Sequence, residues 1–105
     1  MKQNNNKRYG LTKERELKKK FEADGLVVVR SRGSFGLFDM ICYNPVIGWK
    51  LVQVKTTKQR YASYGAEINK IKSFIVDSHT RKELWIYWSP CVGRIKRGWE
   101  CISIE

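Results

Sequence analysis

The sequence predicts one α/β domain, a mixed central sheet flanked by helices, in the order α-β-β-β-α-β-β. Three observations predict it. The chain has 105 residues, the length of a single domain. Hydrophobic residues make up 42% and aromatics 12%, enough to fill one core. Short β-branched runs bounded by Gly, Asn and Asp are interleaved with two stretches whose apolar residues have helical spacing.

Residues 1–9 are polar and basic and read as a flexible arm, which leaves residues 10–105 as the folded domain. A helix is expected from Leu11 or Thr12 to about Ala23. Thr12 is its N-cap, Glu14 and Glu16 suit the positive end of the dipole, and Asp24-Gly25 stops it. Leu26 to Arg30 reads as a strand, and Ser31 to Gly36, with two serines and two glycines, as a tight loop. Phe38 to Tyr43 and Trp49 to Thr56 read as two further strands joined by a turn over residues 44–48, giving an antiparallel meander. After a basic, tyrosine-bearing loop, a second helix is expected from Ala66 to His79, with Ile68, Ile71, Phe74 and Ile75 on one face. Leu84 to Trp88 is apolar on both faces and so must be covered on both. It and Trp99 are the expected dimer contact. A basic loop over residues 89–97 leads to a last strand, Trp99 to Ile104.

Charge narrows the function. Lys and Arg number 21 against 10 Asp and Glu, a formal net charge of +11, which attracts polyanions and releases their counterions. Nucleic acid is the leading partner. No apolar stretch approaches the length needed to span a membrane or lie in one, and Met1 is not followed by a signal-like apolar segment, so a cytoplasmic protein is expected. Cys42, Cys91 and Cys101 lack metal-ligand spacing and read as reduced core residues; with His79 the only histidine, a zinc site is improbable.

Several polar residues break the pattern of their own segment. Glu14 falls inside the stripe marked by Leu11, Leu17 and Phe21, where a carboxylate needs a cation beside it. The plainer alternative is a solvated acid favouring the helix N-terminus. Asp39 opens an apolar strand, between Phe38 and Met40, although Asp is disfavoured in strands. It could equally be an edge turn residue. In Leu51-Val-Gln-Val-Lys55, alternation puts Gln53 and Lys55 on one face, about 7 Å apart. Alone that pair describes the solvated face of an edge strand. Together the four make a chemical set. Carboxylates and a carbonyl oxygen suit a hard cation such as Mg2+, which polarises phosphate and acidifies bound water, while a lysine orients that water or stabilises the oxyanion. Phosphodiester hydrolysis is the reaction this set serves.

The basic surface is also readable. Residues 1–20 carry eight Lys or Arg against two Glu. Lys58, Arg60 and Tyr61 follow the Lys55 strand, and Arg94, Lys96 and Arg97 lie in the last loop. Charge of this kind grips the DNA backbone by shape rather than sequence. Lys18-Lys19-Lys20 is also, in part, an ordinary solvated helix face.

A helix Glu, a hairpin Asp and an x-V-K strand in this order resemble the PD-(D/E)xK restriction-endonuclease-like nuclease superfamily. Within it, the chain is most similar to the archaeal-type Holliday-junction resolvases. Gly10-Leu-Thr-Lys-Glu14-Arg15 resembles their G-x-x-x-E-R opening, and Gly25 to Arg30 their glycine, strand and arginine. Gly33-Ser34 resembles their loop serine, Asp39 their aspartate, and Gln53-Val-Lys55-Thr-Thr their E-x-K-[ST] element. Nearly the whole chain after residue 9 is covered. The resemblance implies that Glu14, Asp39 and Gln53 hold Mg2+, with Mn2+ as a substitute, that Lys55 assists the water and that Ser34 sits at the catalytic centre. Arg15, Arg30 and Arg32 would contact phosphates or brace the carboxylates, beside Lys58, Arg60 and Tyr61 on DNA. The implied substrate is the four-way junction, cut symmetrically by a homodimer in a prokaryotic or phage-infected cell. Three departures stand out. Gln53 replaces an acid and loses its charge, Phe38 replaces a proline, and the Ser34–Asp39 loop is short. Another restriction-like nuclease (nicking, repair or transposition-associated), or a DNA-binding module whose site has decayed at Gln53, stays open beside the resolvase reading.

Overall fold

The computed structural model describes residues 3–31, 36–58, 62–90 and 97–105. Its elements are α1 (Gln3–Ala23), β1 (Val27–Arg30), β2 (Met40–Asn44), β3 (Gly48–Thr57), α2 (Gly65–Ser73), β4 (Thr80–Trp88) and β5 (Gly98–Ile104). This is the α-β-β-β-α-β-β order the sequence predicts. The five strands form one sheet in sequence order. β1, β2 and β3 are an antiparallel meander, β3 and β4 run parallel, and β5 returns antiparallel to β4. A parallel pair cannot be joined by a hairpin, and α2 is the crossover between β3 and β4.

Strand alternation separates two cores. Val28, Met40, Cys42 and Val52 pack with Leu17 and Phe21 of α1. Leu84, Ile86 and Ile104 pack with Ile71 of α2 and with Leu51 and Phe38. Neighbouring residues on a strand point to opposite faces, so the two helices cover opposite sides of the sheet. β4 therefore packs on both faces within its own chain, with Leu84, Ile86 and Trp88 buried on the α2 side and Trp85 and Tyr87 partly exposed on the other. Trp99, expected with this strand as the dimer contact, packs against Trp85 and Tyr87. Trp85 and Glu83 belong to the α1 side, where the Trp85 indole N–H donates to Glu83 and Lys50 pairs with the same carboxylate at 3.4 Å.

α1 starts at Gln3, well before Leu11, so residues 3–9 of the expected arm are helical. Thr12 is not a cap; its hydroxyl donates to the Arg8 carbonyl one turn back, at 2.9 Å. A tertiary anchor outweighs the weak helix propensity of this stretch. The Tyr9 hydroxyl bonds Ser89 Oγ at 2.5 Å, and its ring meets Tyr87 edge-on at 6.3 Å. The C-terminal stop falls as expected. Gly25, at φ +93°, follows Asp24, and the Leu26 N–H donates to the Phe21 carbonyl at 3.0 Å, closing a Schellman turn.

α2 ends at Ser73, not His79, and Phe74 is extended. Lys82 accounts for this. Its ammonium, on a side chain that is only 6% exposed, donates to the carbonyls of Ile71, Lys72 and Phe74. Phe74 then turns to meet Phe38 edge-on at 5.2 Å, and Ile75, expected on the buried face, is 91% exposed. Cys42 is buried, but Cys101 is exposed rather than in the core; burial still pushes both thiols up to about 11. Cys91 lies outside the described residues. The remaining apolar exposure is concentrated on the meander: Val27, Tyr43 and Trp49 stand side by side across β1, β2 and β3. No helix among the described residues is long and apolar enough to cross a membrane.

Candidate active site

β3 runs five residues beyond the point where β2 begins opposite it. The first residue of β2, Met40, faces Val52. Asp39 precedes it, and its N–H donates to the Val52 carbonyl at 2.8 Å while its carbonyl accepts from Ser31 N–H at 3.0 Å. The next β3 donor, Val54 N–H, has no strand opposite it. The Asp39 carboxylate takes that place, accepting at Oδ2 from Val54 N–H at 2.7 Å. Asp39 is thus fixed by three backbone contacts at the mouth of a notch between β2 and β3. This is why an acid can open an apolar strand: it completes a ladder that the next residues leave.

Glu14 reaches the same notch from α1. Leu17 and Phe21, on its face of the helix, are in the core, and Glu14 is half-buried as the stripe requires. Its Oε1 accepts from Arg30 Nε at 2.9 Å, with both side chains less than one-fifth exposed. Arg30 ends β1 on the α1 face, in register with Met40. Burial pushes the Asp39 carboxyl above its usual range, and the nearby Glu14 charge pushes it further. Val54 N–H, Lys55 and Arg30 pull the other way without reversing the shift. Glu14, Arg30, Asp39 and Lys55 therefore share one electrostatic site.

Gln53 precedes Val54 on β3 and points to the opposite face from Val52, the α2 side. Its Nε2 donates to the Leu37 carbonyl at 2.9 Å, two residues before Asp39. Its Oε1 is buried with no hydrogen-bond partner among the described residues. Nearly all buried polar atoms find a partner, so among the described residues this oxygen is left open to a ligand. Lys55 is half-buried, and no carboxylate among the described residues comes within ion-pair distance of it.

The other expected site residues divide. Arg15 is exposed and lines a shallow groove on the outer side of α1 with Thr12, Glu16 and Lys19. Lys58 is exposed at the end of β3, its ammonium 4.5 Å from the Tyr9 ring centroid. Arg32, Ser34, Arg60 and Tyr61 lie outside the described residues. Three contributors were not expected: Leu37, whose carbonyl orients Gln53; Ser31, whose hydroxyl donates to the Phe38 carbonyl; and Tyr9. Only Tyr9 left a signal, as a lone aromatic in a polar, basic segment.

Among the described residues no three His, Cys, Asp or Glu side chains come close enough to hold a metal. The donors at the notch are two carboxylates and an amide oxygen. That set fits Mg2+, which keeps several waters and needs only one or two protein carboxylates. The orphaned Gln53 Oε1 and the mutual repulsion of Glu14 and Asp39 are what a cation would relieve. Comparison of the sequence with known protein families finds no match, and comparison with the curated proteins finds none either.

Proposed function

We propose that the protein is a divalent-metal-dependent DNA endonuclease of the PD-(D/E)xK kind, acting on branched DNA such as the four-way junction as a homodimer. The observation that carries the reading is the open end of β3: two half-buried carboxylates, Glu14 and Asp39, lie within electrostatic reach of each other and of Lys55, and the buried Gln53 Oε1 on the same strand has no partner among the described residues. Glu14, Asp39 and Gln53 Oε1 would hold Mg2+ or Mn2+, and Arg30 keeps the Glu14 carboxylate in place. The ion, when bound, supplies a Lewis acid for the scissile phosphate and acidifies a coordinated water. Lys55 Nζ donates to the attacking oxygen or to the phosphoryl oxygen as negative charge builds there. The basic surface, with Arg15 and Lys58 exposed on it, grips the phosphates on either side.

Cutting two strands symmetrically calls for two sites, hence a second copy. The most exposed apolar side chains of the sheet, Val27, Val29, Tyr43 and Trp49, lie on β1–β3, and that is the surface we assign to it. One observation favours a second reading, a DNA-binding module without catalysis: one Glu14 oxygen is already committed to Arg30. A single experiment separates these. Labelled four-way junction and matched linear duplex are incubated with wild type and Asp39→Ala, in Mg2+ and in EDTA. Junction-selective, metal-dependent cutting that the variant loses is expected. Equal cutting of both substrates would indicate a general restriction-like nuclease, and tight binding with no cutting in Mg2+ or Mn2+ would leave the binding module.

A further inference from the structure

A cleft of about 420 Å³ opens next to the notch, between α1, the end of β3 and the start of α2. Tyr9 and Tyr64 line it together with Thr56, Lys58 and Ser63. Its position follows from the chain. Thr56 is the residue after Lys55. Tyr9 is five residues before Glu14 on the same helix, about 7.5 Å along its axis.

We infer that this cleft takes a single unpaired nucleotide of the DNA, with its base against the tyrosines and its phosphate on Lys58. The inference rests on the nuclease reading for its substrate and extends it. Both tyrosines are held by packing of their own. The Tyr9 hydroxyl is bonded to Ser89 and its ring set edge-on to Tyr87; the Tyr64 ring meets Trp88 edge-on at 6.3 Å. Such rings are preorganised, and a flat aromatic lining with hydroxyls at its edge is the chemistry on which unpaired bases stack. The volume lies in the range of sites that enclose a small ligand. A base stacked inside a duplex cannot enter, because it would first have to leave the helix, at an unstacking cost that is smallest where it is already unpaired. Lys58, exposed at the rim with its ammonium 4.5 Å from the Tyr9 ring centroid, supplies the cation for the attached phosphate once the base takes its place over that ring. The cleft therefore selects DNA that offers an unpaired nucleotide, in a bulge, gap or strand end, over fully paired duplex.

The test is binding in EDTA, where nothing is cut. The probes are a duplex with one bulged 2-aminopurine and the same duplex fully paired, and the readout is the ratio of their dissociation constants. Wild type should bind the bulged probe about ten-fold more tightly, with a change in 2-aminopurine fluorescence. Tyr9→Ala, which removes a wall, and Ser63→Trp, which fills the cleft from an exposed position, should bring the ratio close to one. A variant that merely folds badly weakens both probes alike and leaves the ratio standing. Equal binding of the two probes by wild type, or an unchanged ratio in Ser63→Trp, overturns the inference. Cleavage without bulge preference sinks the cleft and spares the nuclease; bulge preference without cleavage in Mg2+ does the reverse.

Discussion

Gln53 does two different things with its two amide atoms. Nε2 satisfies the Leu37 carbonyl, and the buried Oε1 has no partner among the described residues. Gln53→Glu keeps an oxygen ligand and restores a negative charge, so metal-dependent cutting should be retained or raised. It also sets a carboxylate oxygen against the Leu37 carbonyl, and losing that donor should lower stability by about 1–3 kcal/mol without metal. Melting temperatures should fall in EDTA and recover in Mg2+ more than those of wild type. A variant that Mg2+ does not stabilise would sink the assignment of Gln53 as a ligand. Asp39 gives a pH prediction. Its carboxyl titrates above the unfolded value, so its ionised form opposes folding above the folded pKa, and that penalty fades as pH falls through it toward the unfolded value. Asp39→Asn should be more stable than wild type near neutral pH, with the advantage shrinking in acid. Cutting by wild type should decline over the same window, because a protonated Asp39 cannot hold a cation. Glu14 and Asp39 were legible in the sequence because a charge in an apolar stripe or strand is costly wherever it occurs. The Arg30 bond to Glu14 and the Leu37 bond to Gln53 each join residues sixteen apart, and no local pattern encodes the register that brings them together.

At the level of elements, the strand ends were legible to within two residues, except that β4 starts at Thr80 rather than Leu84; the end of α1 and the start of α2 were legible too, but the start of α1 and the end of α2 were not, for a physical reason. β1, β2 and β3 are bounded by local chemistry, such as the Asn44 side chain accepting from the Val46 and Ile47 N–H groups at 3.0 and 2.6 Å. Gly48, at φ +85°, completes that turn, and a Cβ there would meet the His79 carbonyl at 2.9 Å. The missed helix boundaries go with contacts from a distance, the Ser89 bond to Tyr9 in the second turn of α1 and the Lys82 bonds at the end of α2. Lys82 makes the second of these testable. Its cation neutralises the negative end of the α2 dipole and satisfies three carbonyls at once. Lys82→Met keeps the stem but strips those partners, and urea denaturation should show a loss of about 1–3 kcal/mol. Lys82→Arg should restore part of it. Equal stability of Lys82→Met and wild type would mean that α2 ends for some other reason.

Across the whole molecule, a formal charge of +11 sets copies of the chain against each other unless they meet through a neutral surface. The α2-side face of the meander is such a surface. Val27, Tyr43 and Trp49 form one cross-strand row and Val29, Ile41 and Leu51 the next, with no charged side chain in either. Val27 and Val29 are each more than half exposed on an edge strand whose outer backbone has no partner among the described residues. An open edge whose exposed face is apolar is what proteins usually blunt, and two identical edges can pair antiparallel about a two-fold axis. Such a pairing extends two five-stranded sheets into one and brings the Arg30 end of each β1, beside each notch, near the axis. Val29→Lys puts a charge into that edge at an exposed position, where the monomer should change by no more than about 0.5 kcal/mol. Sedimentation equilibrium should find wild type dimeric and Val29→Lys monomeric. Ser103→Lys, an equal charge on the opposite sheet edge, should remain a dimer. On a nuclease substrate the monomeric variant keeps its own notch, so it should nick single strands while losing the paired cuts of the dimer. One mass for all three proteins would remove the β1 edge as the interface.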